Sequence, residues 1–116
     1  MQRTIAENNA KHRGHLDAPE TEAPLHNEIA AWCNAQWPKW KFIHARMDRK
    51  ATIGEGVHDF TIYAPAGRVL NIECKSRTGK LSEEQRDWSH ELERNGHAVH
   101  VVRTMAEFLQ LTNQTA

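Results

Sequence analysis

Two short segments of this chain hold two acids and a lysine in a pattern typical of metal-assisted hydrolysis. The first segment contains Asp59, and the second contains the triplet Glu73, Cys74 and Lys75. Both segments have the alternating apolar pattern of β-strands, and the Pro-Ala-Gly sequence at 65–67 predicts a tight turn between them. Carboxylate oxygens that meet across two strands suit Mg²⁺ or Mn²⁺, and the lysine adds a positive charge beside them.

The apolar pattern predicts the register of these two strands. If Ala64 pairs with Arg68 across a three-residue loop, Asp59 lies opposite Glu73. The apolar face then collects Phe60, Ile62, Leu70, Ile72 and Cys74. The polar face collects Asp59, Thr61, Tyr63, Asn71, Glu73 and Lys75. A slip by one residue would mix apolar and charged side chains on both faces, so the pattern disfavours it. Because like charges opposite each other destabilise a sheet, we expect a cation between the two acids.

A simpler interpretation uses the same residues without a metal. Glu73 and Lys75 form a very common short pattern, and both can be ordinary charges on a solvated sheet face. A nearby arginine or lysine would then neutralise Asp59. Additional residues elsewhere in the chain are needed to favour the metal site.

The predicted helices and the turn before the second helix provide three such residues. Glu28 lies one turn from both Leu25 and Trp32, inside an apolar stripe where a charge is costly unless it is paired or coordinated. It can also lie at the border of the stripe and reach water. Gln85 can cap the second predicted helix and can also reach the site. Lys80, just before that helix, adds an ammonium to the exposed N–H groups of a helix start, which suits a phosphate.

Length and composition fit a single soluble domain. The 116 residues are enough for one core. With no apolar run long enough to cross a bilayer and no secretory signal pattern, we expect a cytoplasmic protein with no membrane partner. Cys33 and Cys74 are typical of small core residues rather than of a disulfide framework.

Several other chemistries lack their sequence patterns. The eight histidines form none of the close pairs of zinc helices or zinc fingers, so zinc is disfavoured. The glycine-lysine pair at 79–80 lacks the spacing of a P-loop, so no nucleotide cofactor is expected. The absence of a nucleophile elbow leaves nucleophilic catalysis without positive evidence.

Charge is segregated along the chain, although the net charge is zero. Residues 25–80 carry nine basic and five acidic side chains, and the remainder carries the matching negative excess. If a metal neutralises Glu28, Asp59 and Glu73, this middle segment becomes a strongly basic surface able to contact phosphates. Charge alone is equally compatible with an ordinary mixed surface.

Seven elements are predicted in the order α-β-β-β-α-β-α. Pro24 is expected in the first turn of the first helix, which ends at 37–38. A strand spans 40–46, and the two paired strands come next. Capping boxes begin the last two helices at Ser82 and Thr104, on either side of a fourth strand at 97–103. This order predicts an α/β fold with a mixed sheet flanked by helices and the site at one sheet edge.

We predict one domain with short tails. Residues 1–22 are mostly polar and lack apolar periodicity, which predicts an N-terminal tail or arm. The domain is expected over 23–112, followed by a C-terminal tail over 113–116.

Together these motifs resemble the VRR-NUC family of the PD-(D/E)XK nuclease superfamily over about residues 25–109. The motifs that carry the resemblance are Glu28, Gly56-Val57-His58-Asp59, Glu73-Cys74-Lys75, Gly79-Lys80-Leu81 and Gln85. The resemblance implies a restriction-endonuclease-like core that uses Mg²⁺ or Mn²⁺ to hydrolyse DNA. The implied metal ligands are Glu28, Asp59, Glu73 and the main-chain carbonyl of Cys74.

The resemblance also implies roles for the remaining site residues. Lys75 would activate or orient the attacking water, and Gln85 would position Lys75 or the substrate. The four basic residues expected to contact DNA are Lys80, Arg77, Lys50 and Arg49. One departure is His58, which stands where members of the family commonly have proline, and we expect it to alter loop stiffness rather than metal binding. Periodicity places its side chain on the face opposite Asp59.

Within the family, this chain resembles the stand-alone, Holliday-junction-resolvase-like nucleases that act as homodimers. We therefore expect a structure-selective endonuclease for branched DNA. Two alternatives remain open from the sequence, namely a structure-specific DNA-binding module that does not cleave and a sequence-specific nuclease of restriction type.

Overall fold

The computed structural model describes residues 18–36, 38–45 and 56–113. The helices are α1 (Ala23–Ala35), α2 (Glu83–Arg94) and α3 (Met105–Thr112), and the strands are β1 (Lys41–His44), β2 (Phe60–Tyr63), β3 (Val69–Cys74) and β4 (Val99–Val102). The predicted order α-β-β-β-α-β-α is confirmed. Within the described residues, no helix is long and apolar enough to cross a membrane.

The four strands form one mixed sheet in the order β1-β2-β3-β4. β1 pairs with β2 and β2 with β3 in antiparallel fashion, whereas β4 runs parallel to β3. A parallel pair needs a crossover connection, and α2 supplies it here. The sheet is therefore mixed and flanked by helices, as predicted.

The predicted hairpin register is confirmed. Phe60 pairs with Ile72 and Tyr63 with Val69, so the next position outward sets Asp59 opposite Glu73. The main-chain N–H of Ala64 donates to the carbonyl oxygen of Arg68 at 2.8 Å and closes the three-residue loop. This is the loop at 65–67.

One face of the sheet holds the hydrophobic core. It receives α1 and α3, and its buried residues are Leu25, Ile29, Cys33, Phe60, Ile62, Leu70, Ile72, Cys74, Val102 and Phe108. The cysteines are core thiols and form no disulfide, as predicted. Burial raises the pKa of the Cys33 thiol to about 11, so this side chain stays protonated and inert at neutral pH.

The opposite face meets α2, whose start has the predicted capping box. The main-chain N–H of Gln85 donates to the Ser82 hydroxyl at 3.1 Å, and the Ser82 N–H donates to Gln85 Oε1 at 2.9 Å. The same arrangement joins Thr104 and Glu107 at the start of α3. Both caps satisfy main-chain donors that a helix start leaves without partners.

The end of the predicted N-terminal tail packs against the domain. Ala18 is buried, and the carbonyl oxygen of Pro19 accepts a hydrogen bond from the N–H of Arg77 at 2.9 Å. The Arg77 side chain also forms an ion pair with Glu20 at 2.6 Å. These contacts attach residues 18–20 to the turn after β3, whereas residues 1–17 lie outside the described part of the chain.

Replacing Tyr63 and Val69 together by cysteine should give a cross-strand disulfide under mild oxidation. The two residues are partners across β2 and β3 and both are exposed. Directly opposed residues have Cβ atoms about 4.5–5.5 Å apart, close to the separation that a disulfide needs. Thiol counting and non-reducing mass spectrometry measure the product.

The control pairs Tyr63→Cys with Asn71→Cys, which places the thiols on a diagonal about 7–8 Å apart. Equal oxidation of both double variants would contradict the register.

Candidate metal centre

Asp59 is held between the ends of the two central strands. It immediately precedes β2 and is only 1% exposed. Its Oδ2 atom accepts a hydrogen bond from the main-chain N–H of Cys74 at 2.8 Å. This bond ties the start of β2 to the end of β3, so the two halves of the site share one rigid support. The site therefore lies at the strand ends in the middle of the sheet rather than on an outer strand.

Glu73 and Lys75 form the second half of the site. Glu73 is 2% exposed, and its Oε2 atom accepts a hydrogen bond from Gln85 Nε2 at 3.0 Å. The Lys75 ammonium lies 3.6 Å from the same oxygen, and Lys75 is itself buried. Gln85 thus both caps α2 and contacts the site, so the two uses that the sequence allowed for it occur together.

Helix α1 adds two residues to the site that the sequence reasoning missed. Glu22, at the N-cap of α1, places its Oε2 atom 4.0 Å from the Lys75 ammonium. His26 places Nε2 at 3.3 Å from Asp59 Oδ2. The available signal was their spacing of four residues, which puts both on one face of a helix. Because the polar composition of residues 1–22 predicts a tail, the sequence alone gives no reason to place Glu22 on a helix with His26.

The donor atoms fall into two overlapping groups. Carboxylate oxygens of Glu22, Asp59 and Glu73 lie within 4.8 Å of one another, and so do donor atoms of His26, Asp59 and Cys74. Hard oxygen donors in the first group fit Mg²⁺ or Mn²⁺. Repulsion among three carboxylates so close together also favours a cation. The residues present therefore fit a divalent metal.

Glu28 does not join this group. It lies on an exposed face of α1, and the groups of possible metal ligands found among the described residues exclude it. Six residues along a helix turn the side chain by about 120° from the direction of Glu22. Glu22 therefore supplies the acid from α1 that the sequence interpretation expected of Glu28.

The predicted DNA contacts are only partly described. Lys80 and Arg77 are exposed near the site, and Arg77 is engaged with Glu20. Arg49 and Lys50 lie outside the described residues. The turn that leads to Lys80 is fixed by Arg103, whose Nη1 donates to the carbonyl oxygens of Ser76 and Gly79 at 2.5 and 2.7 Å.

His58 links the site to α2 rather than pointing away from the face of Asp59. It is 7% exposed, with Nδ1 3.0 Å from Trp88 Nε1 and Nε2 2.7 Å from Thr61 Oγ1. Because the indole N–H can only donate, Nδ1 accepts and the Nε2–H donates to Thr61. Strand alternation did not apply to His58, because β2 begins two residues later.

Gly56 gives the same loop a second attachment to α2. Its φ is +84°, and a Cβ atom there would collide with the main-chain carbonyl of Glu84 in the first turn of α2. Glycine is therefore required by both conformation and space. The loop before Asp59 is held against α2 at both of these points.

A cleft of about 440 Å³ adjoins the acidic group. Its lining residues are Glu20, Thr21, Glu22, Ala23, His26 and Ser76. Glu22 and His26 are shared by the cleft and the donor groups, so the cleft borders the site.

Comparison with known proteins identifies the family but gives no individual relative. A family model described as VRR-NUC domain matches residues 2–106. No curated protein and no solved structure matches the chain.

Glu22→Gln should weaken Mn²⁺ binding by at least about tenfold, a loss seen even for residues that only support metal ligands. The substitution removes the charge of one acid in the group while keeping its shape. Isothermal titration of the purified protein with Mn²⁺ measures the effect without any need for activity.

Glu28→Gln is the matched control, because it makes the same charge change on the same helix at an exposed position. Equal weakening by both substitutions would contradict the assignment of Glu22.

Proposed function

Because this chain belongs to the VRR-NUC family, we propose that it is a metal-dependent, structure-selective endonuclease that cuts branched DNA such as Holliday junctions. The observation that carries the proposal is the burial of Asp59 and Glu73 together, with the Lys75 ammonium 3.6 Å from Glu73. A nuclease domain implies DNA as substrate. The metal and the branched form of the DNA are the parts that we propose.

Glu22, Asp59 and Glu73 would hold Mg²⁺ or Mn²⁺, with the Cys74 main-chain carbonyl as a further ligand. When bound, the cation acidifies water and stabilises charge that develops on the phosphate. Support for metal dependence comes from the donor set, because two buried carboxylates and the half-buried carboxylate of Glu22 repel one another unless positive charge is added.

Lys75 is the buried ammonium of this site. It lies 3.6 Å from Glu73 and 4.0 Å from Glu22, so its position is fixed from both sides. We assign it to orienting the attacking water and to offsetting charge on the phosphate. Gln85 donates to Glu73 and acts as a positioning residue for that carboxylate.

Lys80 and Arg77 are proposed to contact the DNA backbone. Both are exposed close to the buried acids, and Arg103 fixes the turn between them. Phosphate contacts of this kind set the position of the duplex and carry no sequence information. This arrangement favours recognition of DNA shape over recognition of base sequence.

A homodimer is the proposed active form, because a two-fold assembly presents two sites to a symmetric four-way junction. Three large apolar side chains, Ile43, Tyr63 and Val69, remain exposed on the sheet face opposite the core. An exposed apolar patch of this kind supports a contact between subunits. Sedimentation that gives a monomer under cutting conditions would exclude the dimer.

Glu73→Ala should lower the rate of DNA cleavage with Mg²⁺ or Mn²⁺ by at least about a hundredfold, because it removes a ligand of the cation that would stabilise charge on the phosphate. DNA binding should persist, because the exposed basic residues are unchanged. Single-turnover cleavage and gel-shift assays on the same preparation separate the two effects.

Glu91→Gln, at an exposed position of α2, is the control and should cut at the wild-type rate. Full activity of Glu73→Ala would exclude the proposed site. DNA binding by the wild type without cutting in either metal would favour the non-cleaving module.

A four-way junction should be cut faster than linear and flap substrates built from the same strand sequences. The expected reason is that two sites of a dimer engage two arms at once, which raises the effective concentration of the second contact. Cleavage rates with each substrate at equal DNA concentration test this. Cutting that follows base sequence whatever the branching would favour the restriction-type alternative.

A further inference from the structure

A second set of metal donors adjoins the acidic group and differs from it in chemistry. His26 offers Nε2, Asp59 a carboxylate oxygen and Cys74 its Sγ atom, all within 4.8 Å of one another. The acidic group offers oxygen alone, whereas this set offers nitrogen, oxygen and sulfur. Asp59 belongs to both sets.

The imidazole of His26 has a buried nitrogen atom that lacks a hydrogen bond. Its Nε2 atom is buried and makes no hydrogen bond with any residue in the described segments. It lies 3.3 Å from Asp59 Oδ2, but the oxygen is not aligned for a hydrogen bond. A buried polar nitrogen in this condition destabilises the fold, and a metal ion on it would relieve that cost.

The distances between the three donor atoms are compatible with one bound metal ion. Donor atoms bound at about 2.0–2.3 Å around a tetrahedral ion lie roughly 3–4 Å apart. The separation of His26 Nε2 from Asp59 Oδ2 is already in that range. The widest separation in the set, at most 4.8 Å, needs only a small side-chain adjustment.

We propose that His26, Asp59 and Cys74 form a second metal site that takes Zn²⁺ or a similar borderline cation, and that filling it withdraws Asp59 from the acidic group. Imidazole and thiolate donors bind Zn²⁺ far better than they bind Mg²⁺. Binding displaces the thiol proton of Cys74 to solvent. Zn²⁺ would therefore oppose Mg²⁺-supported cutting.

The cleft also borders this second site. His26 lines the cleft, while Cys74 lies behind it in the hydrophobic core. The imidazole therefore lies nearer to the cleft than the thiol does. Close histidine pairs are not needed here, because this set combines one histidine with donors from two other segments.

Co²⁺ tests the site directly, because cobalt bound to a thiolate gives an intense near-ultraviolet absorption band. Titration of the wild-type protein with Co²⁺ should produce this band, and Cys74→Ser should abolish it. His26→Ala should raise the Co²⁺ concentration needed for half-saturation by about tenfold or more, in line with the loss of a metal-site residue. His26 is partly exposed, so this variant tests the site even if the core substitution at Cys74 prevents folding.

Cys33→Ser is the matched control, because Cys33 is the other buried thiol and lies outside the donor set. It should keep the band. Absence of the band in the wild type, or its persistence in Cys74→Ser, would contradict the proposed second metal site.

The effect on cutting rests on the proposed function and is tested separately. Zn²⁺ added to Mg²⁺-supported cleavage should inhibit the wild type, and His26→Ala should require about tenfold more Zn²⁺ for half-inhibition relative to its own rate without Zn²⁺. If His26→Ala and the wild type are half-inhibited at the same Zn²⁺ concentration, the proposed competition between Zn²⁺ and Mg²⁺ is contradicted. If Mg²⁺ supports no cutting at all, the proposed function fails while the cobalt spectrum still decides whether the second site exists.

Discussion

Three carboxylates approach one another at the buried end of the two central strands, and their mutual repulsion is the constraint on which the site depends. Ionised groups lose solvation on burial, and like charges at short range disfavour one another. The protein offsets this in part with local donors: the Lys75 ammonium, the Cys74 main-chain N–H and the Gln85 amide. A bound divalent cation would offset the remainder, so metal binding and stability of the folded chain are linked.

Helix α2 supports both acids from one side of the sheet. Its first turn holds Glu73 through Gln85, and its middle holds the loop before Asp59 through Trp88 and His58. The start of the same helix is fixed by its capping box. Because one rigid element restrains both acids, the distance between them depends on the packing of α2 against the sheet more than on the loop sequence. This is how His58 provides rigidity in the loop.

Helix α1 supplies the site with two different kinds of metal donor. Glu22 adds oxygen to the acidic group, and His26, one turn later, adds nitrogen close to Asp59. Asp59 thus stands between a hard set of donors and a softer set that includes a buried thiol. Donor type and charge both favour different cations at the two sets, because the acidic group offers three charged oxygens and the second set offers nitrogen, oxygen and sulfur.

Local patterns in the sequence were sufficient to predict much of this fold. The hairpin register follows from apolar alternation, because a one-residue slip would bury charge. The two capping boxes follow from residue types at fixed spacing, and the register with the box at Ser82 brings Asp59, Glu73 and Gln85 together. What the sequence left undecided was the rotation of α1 about its own axis relative to the sheet. The packing of Leu25, Ile29 and Cys33 sets that rotation, and it turns Glu22 and His26 inward and Glu28 outward.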